Sequence, residues 1–184
     1  MPTLPSHGLA AVAILAGVER RRLRPDLALL GAICAMLPDV DVIGLRLGVQ
    51  YGSMLGHRGL THSIFFAAAV ATIISIVATF EDVSRLRAWV YVFLCVCSHG
   101  VFDAATNGGL GVAFLSPFSN TRYFWPVRPI EVSPIGLGHA WVGRGAAVFL
   151  SELRWIWTPS LAIILSGYVR SRSPRPRRDG VVTS

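Results

Sequence analysis

The sequence predicts an all-α membrane protein, a polytopic bundle of four to five helices with a long irregular loop before the last. Three observations carry this. Of 184 residues, 53% are hydrophobic and only 15% charged, whereas an ordinary soluble domain carries about 25% charged residues. Mean hydropathy is +0.55. The 17 basic residues are all arginine, and most lie between the apolar runs or after the last of them. The formal charge of +7, so distributed, points to a membrane surface rather than to nucleic acid. The composition argues against a disordered chain, a secreted disulfide scaffold and a typical cytosolic enzyme. Cys34, Cys95 and Cys97 sit in apolar runs without CxxC spacing and read as small buried hydrophobes.

A chain of this length suits one domain. Residues 1–169 read as a single membrane-embedded helical domain, and 170–184 as an Arg-rich, disordered cytoplasmic tail. The apolar runs are Gly8–Val18, Leu27–Leu37, Leu60–Phe80, Ala88–Ala105 and Ala146–Val169. Crossing the hydrocarbon core takes about 20 apolar residues. The third and fourth runs come close to that, while the first two need polar flanks or enter only partway. Glu152 and Arg154 interrupt the last run, so its span is expected nearer Ile156–Val169. The basic cluster Arg20, Arg21, Arg22, Arg24 follows the first run instead of preceding it, which argues against a cleaved signal peptide, and the run is expected to stay as a helix.

Arginine placement sets the expected topology. If segments alternate, the arginines of 19–26, of 81–87 and of the tail share one side, and only Arg46, Arg58, Arg122, Arg128 and Arg144 face the other. The positive-inside rule then puts the N-terminus outside and the C-terminus in the cytoplasm. The same alternation gathers the polar residues of the runs. His7, Asp39 and Asp41, His57 and His62, and His99 and Asp103 all map to the non-cytoplasmic end. A carboxylate within a membrane helix costs about 2.5–3.5 kcal/mol on the insertion scale. Three carboxylates meeting there would repel one another unless a cation joined them, and histidine interleaved with aspartate suits zinc, manganese or iron. His99 and Asp103, at i and i+4, share a helical face. Asp39 and Asp41 would diverge on a regular helix, but Pro38 favours a turn from which both face inward. Gly59 allows His57 to lie in the preceding loop and His62 in the first turn. His139 has no partner by spacing and reads as a non-ligand.

Taken in order, His7-Gly8, Pro38-Asp39-Val40-Asp41, His57-Arg58-Gly59-Leu60-Thr61-His62-Ser63 and Ser98-His99-Gly100-Val101-Phe102-Asp103 resemble the motifs of the bacterial membrane-bound metal-dependent hydrolase family, the LexA-regulated type. The resemblance covers roughly residues 7–135. It implies a multi-pass protein of the bacterial inner membrane, a metal-dependent hydrolase activity, and metal-ligand or catalytic roles for His7, Asp39, Asp41, His57, His62, His99 and Asp103. Some relatives have an aspartate in the loop where this chain reads Val132-Ser133-Pro134. If Ser133 replaces it, an outer ligand is missing here.

The expected function is hydrolysis by one or two divalent metals, zinc foremost, at the outer ends of the helices. Asp39, Asp41, His62, His99 and Asp103 would bind the metal, and His7 and His57 would be ligands or proton carriers. Arg58 is the expected stabiliser of transition-state charge, ahead of Arg122 and Arg128. Thr61 and Ser63 read as helix-start residues rather than nucleophiles. The loop 106–144 would be an irregular or re-entrant cap, with Tyr123, Phe124, Trp125 and Trp141 as an interfacial belt. The expected partners are the bilayer and a lipid-borne ester or phosphoester. No nucleic-acid partner is expected. Two rivals use the same residues. A metal or proton transporter would need a polar path, yet Ala67–Ala78 is apolar apart from Thr72 and Ser75. An assembly protein using these residues as helix–helix glue would tolerate Asp→Asn and His→Gln.

Overall fold

A computed structural model describes residues 1–19, 23–133 and 144–172. Among them are five helical segments and no strand: α1 (Leu4–Val18), α2 (Pro25–Arg46), α3 (Ile64–Val77), α4 (Arg85–Ala104) and α5 (Gly145–Arg172). By length and composition, α2, α4 and α5 can cross a membrane, and α1 and α3 are shorter apolar helices. His139, Trp141 and the tail from Ser173 lie outside the described residues.

Local chemistry explains each boundary. Pro25 opens α2 at a position whose N–H has no intrahelical partner to lose. Pro38 lacks an N–H for the helical ladder, and the chain tightens into a 3₁₀ turn over Leu37–Asp41 before resuming as α-helix over Val42–Arg46. Ser63 caps α3 by accepting from the Phe66 N–H at 3.1 Å, and Ser84 caps α4 by accepting from Arg87. The third apolar run therefore starts its helix at Ile64, later than hydropathy alone predicts.

The last helix departs most from expectation. Glu152 and Arg154 do not interrupt it: one helical course runs from Gly145 to Arg172, with a π segment at Leu153–Trp157 ahead of Pro159. Glu152 is buried, but three donors satisfy its carboxylate. They are the Thr3 N–H at 2.7 Å, the Thr3 hydroxyl at 2.6 Å and the Ser6 hydroxyl at 2.6 Å. A carboxylate so bonded escapes most of the burial penalty that would have ended the span. Arg154 turns outward over the Trp155 ring.

Helix α1 packs on α2, α4 and α5, α2 packs on α4, and α3 packs on α4. The core joins Ala11 and Leu15 to Leu27, Cys34, Ala35, Ala67, Ala71, Val92, Cys95 and Val96. Tyr91 crosses it, donating to the Leu27 carbonyl at 3.0 Å and lying 3.4 Å from that of Ala11. Gly31 makes room: a Cβ there would stand 1.8 Å from the Tyr91 hydroxyl oxygen. Gly31→Ala is therefore expected to cost on the order of 3 kcal/mol through overpacking. Thermal unfolding in detergent reads this, and an unchanged midpoint would mean that the ring swings aside freely.

Residues 105–133 fold back over the start of α3, the end of α4 and the 51–58 segment. Val112 and Tyr123 exchange backbone hydrogen bonds at 2.9 Å, the Asn107 N–H donates to Ile130, and the Ile64 N–H donates to Phe114. Tyr123, Phe124 and Trp125 are exposed on this cap. Alternation of the helices brings the start of α1, the 3₁₀ turn of α2, the approach to α3 and the end of α4 to the same end, beneath the cap.

Candidate metal centre

The 3₁₀ turn presents Asp39 and Asp41 on two sides of one imidazole. His62 Nδ1 lies 3.1 Å from Asp41 Oδ2, and His62 Nε2 lies 3.7 Å from Asp39 Oδ1. His62 ends the 3₁₀ turn Leu60–His62 just before the Ser63 cap, whereas His57 sits in the preceding loop. Between them Arg58 adopts φ +64°, a left-handed conformation costly for a side chain of this size and held by its surroundings.

Four donor groups converge: Asp39, His62, His99 and Asp103 each offer an atom, all within 4.8 Å of one another. His62 Nε2 is 3.3 Å from Asp103 Oδ2, and His99 Nε2 is 3.2 Å from Asp39 Oδ1 and 3.8 Å from Asp103 Oδ2. Although this close, these atoms are buried and make no hydrogen bond with one another; Asp103 Oδ2 also faces the Arg58 Nε at 3.1 Å. They are aimed at a common point rather than at each other. Ligands about 2.1 Å from a tetrahedral zinc stand about 3.4 Å apart, which these separations bracket. The donor set fits a divalent ion.

The far ring atoms fix the tautomers. His99 Nδ1 donates to the Ala35 carbonyl at 2.7 Å, leaving Nε2 as a lone-pair donor. His62 Nδ1 donates to the Thr61 hydroxyl at 3.1 Å, which in turn donates to Asp41 Oδ2 at 2.7 Å, so that Thr61 and Asp41 together orient the imidazole as outer partners orient metal ligands. Both Asp41 oxygens are engaged. Oδ1 pairs with His57 Nδ1 at 2.6 Å, and Oδ2 accepts from the Arg58 N–H at 3.1 Å and the Thr61 hydroxyl at 2.7 Å. Asp41, His57 and His62 form a second group of metal-ligand type, but one already bonded internally.

His7 lies outside both groups. It is fully buried, stacks on His99 with centroids 3.8 Å apart and planes 10° apart, and neither ring nitrogen has a partner. Arg58, expected to face charge on a substrate, instead grips Asp103. Its Nε is 3.1 Å from Oδ2 and its Nη2 3.4 Å from Oδ1, and further bonds go to Thr106 and the Gly108 carbonyl. Arg122 is likewise enclosed, donating to the carbonyls of His57, Tyr51 and Ser53. Arg128 lies over the Phe124 ring. Ser133 is buried with its N–H on the Met1 carbonyl and belongs to neither donor group.

Sequence reasoning missed the supports: the Ala35 carbonyl, Thr61 on Asp41, Thr106 on Arg58, and Tyr51, whose ring meets His57 edge-on at 5.3 Å. Burial raises the Tyr51 phenol above its usual range against the opposing field of Arg58, so it stays protonated. A backbone carbonyl leaves no mark in a sequence, and Thr61 was visible only as a helix-start residue.

The family model of the YdjM inner membrane protein matches residues 1–174. The inner membrane protein YbcI of Escherichia coli (strain K12) is 36% identical over 165 residues, covering 89% of this chain and 95% of that protein. No solved structure matches the chain.

Proposed function

We propose that this chain, a member of the YdjM inner membrane protein family, is a membrane-bound, metal-dependent hydrolase whose ion is held by Asp39, His62, His99 and Asp103. The observation that carries this is the set of buried carboxylate and imidazole atoms that approach one another at 3.2–3.8 Å without a hydrogen bond. Two imidazoles and two carboxylates favour zinc, with manganese or iron as alternatives. A divalent ion in such a site supplies Lewis acidity and activates water near neutral pH.

The chain's own residues do the rest. Thr61, backed by Asp41, and the Ala35 carbonyl hold the two imidazoles in the metal-binding tautomer. Arg58 fixes the rotamer of Asp103. His7, with both nitrogens unpartnered beside the donor set, is placed to carry a proton, and the Asp41–His57 pair is a second proton-handling group. The arginine asymmetry supports an orientation with this end of the bundle on the outer face of the inner membrane. Helices α1 and α3, of 15 and 14 residues, reach only about 21–22 Å against a hydrocarbon core of about 30 Å. The centre then lies at interfacial depth, within reach of a lipid-borne ester or phosphoester.

Turnover of lipid phosphoesters and carboxyl esters in mixed micelles tests the proposal. Metal-loaded wild type should hydrolyse at least one class, with chelator-stripped protein and Asp39→Asn at background. Equal rates in all three would sink the enzyme reading.

A further inference from the structure

Helix α4 has 20 residues, a length of about 30 Å that just equals the hydrocarbon core of about 30 Å. Arg85 and Arg87 in its first turn hold that end at the headgroups of one leaflet. Its other end then reaches the opposite edge of the acyl chains, and any tilt draws it deeper. Helix α3 packs on α4 and stops lower. A Cβ on Gly100 would lie 3.0 Å from the His62 carbonyl oxygen. The start of α3 therefore sits about one turn, roughly 6 Å, below the end of α4.

The cap occupies the level that α3 leaves empty. Phe118 packs on Phe65, in the first turn of α3, with ring centroids 4.7 Å apart. Trp125 lies along the last turns of α4: its backbone N–H donates to the Ala104 carbonyl at 3.0 Å and its indole N–H to that of Val101 at 3.2 Å. Phe65 and Val101 are themselves exposed apolar residues of those helices, and the cap continues their surface outward. Phe118 is 79% exposed, Val127 73% and Trp125 50%. Arg122 is the one charged residue in 105–127, and it turns inward onto the carbonyls of His57, Tyr51 and Ser53.

Irregular backbone persists at membrane depth only where protein satisfies its polar groups. Val112 and Tyr123 pair with each other, the Ala113 N–H donates to the Arg58 carbonyl, and the Phe118 and Ser119 N–H groups turn back onto Leu115. In water, the same rim would expose several large apolar side chains together, which soluble surfaces rarely do.

The geometry points to a cap seated in the bilayer: the rim of Phe118, Trp125 and Val127 lies among the acyl chains of the leaflet on the cap side, so that lipid surrounds the cap at the level of the donor set. This goes beyond the metal reading and does not depend on it.

The test places single nitroxides at Phe118→Cys and Val127→Cys in the full chain, reconstituted in phospholipid vesicles and checked for folding by circular dichroism. Ile76→Cys, on the exposed apolar side of α3, and Glu81→Cys, in the α3–α4 turn, calibrate lipid and water. The native cysteines are buried or half-buried, and wild type carried through the same labelling gives the background. Collision rates with oxygen, which partitions into lipid, and with a water-soluble nickel chelate are read by electron paramagnetic resonance. The oxygen-to-nickel ratio at both cap sites is expected to lie nearer that of Ile76 than that of Glu81. A ratio like that of Glu81 would put the cap in water and overturn the inference. Low collision with both reagents would mean protein cover, by a second copy or another part of the chain, and would overturn it too. Should the cysteine variants not fold, Trp125 decides: the fluorescence lost in Trp125→Phe should be the part that lipids brominated in the upper acyl chain quench. If those lipids leave that part unquenched, the rim is not in the acyl region.

Discussion

The Asp39→Asn/His99→Gln double variant is expected to lose its divalent ion while keeping its helical circular dichroism. It removes one carboxylate charge and one imidazole from a four-group donor set, leaving His62 and Asp103 too few to retain a metal through dialysis. Each single change should weaken binding by more than about 100-fold, because loss of an outer partner alone costs roughly 10–100-fold. Asp41→Asn tests that lower figure. It keeps every convergent donor but replaces the carboxylate that orients His62, so binding should fall by about 10–100-fold rather than vanish. Binding should also weaken as pH falls, since imidazole ligands bind metal only when neutral and protons compete with the ion. Metal content by elemental mass spectrometry and competition with a chromophoric chelator read all of these. Full metal retention by the folded double variant would remove the chemical basis of the centre.

The convergence of these residues was legible in the sequence for a simple reason. Helices that alternate through a bilayer return every second connection to the same face, and the arginines mark which connections those are. From that alone His7, Asp39, Asp41, His57, His62, His99 and Asp103 could be placed at one end, and the i, i+4 spacing of His99 and Asp103 put them on one face. The division of labour among them was not legible. Asp39 and Asp41 are near-identical in sequence context, yet one has two orphaned oxygens and the other is saturated by His57, Thr61 and the Arg58 backbone. That difference arises from the approach of the 57–62 segment, a long-range contact with no local signature. Arg58 shows the same limit. Beside His57 it reads as a reaching cation, but φ +64° and the returning cap turn it inward onto Asp103, Thr106 and Gly108. The continuous last helix was hidden because hydropathy charges Glu152 its full insertion penalty, blind to donors near the opposite end of the chain.

Those donors make Glu152→Ala the substitution with the largest expected effect outside the centre. It would take the acceptor from the Thr3 N–H and from the Thr3 and Ser6 hydroxyls, each losing a bond of 2.6–2.7 Å, and leave the two hydroxyls only each other at 3.3 Å. At about 1–3 kcal/mol for a buried group left unsatisfied, destabilisation on the order of 2–3 kcal/mol follows, whereas Glu152→Gln keeps an acceptor oxygen and should lose less. The damage should also reach the metal. Ser6 is held from both sides, by Glu152 and by the Trp157 indole N–H at 2.8 Å, and the next residue is His7, stacked on His99. Releasing the start of α1 frees His7 to leave that stack and opens the dry wall behind His99. Unfolding midpoints should therefore fall in the order wild type, Glu152→Gln, Glu152→Ala, and metal affinity should fall in the same order although Glu152 touches no donor atom. A Glu152→Ala protein with wild-type midpoint and wild-type affinity would show that α1 is anchored elsewhere. A loss of stability without loss of affinity would show that the donor set is fixed by α2, α4 and the 57–62 segment alone.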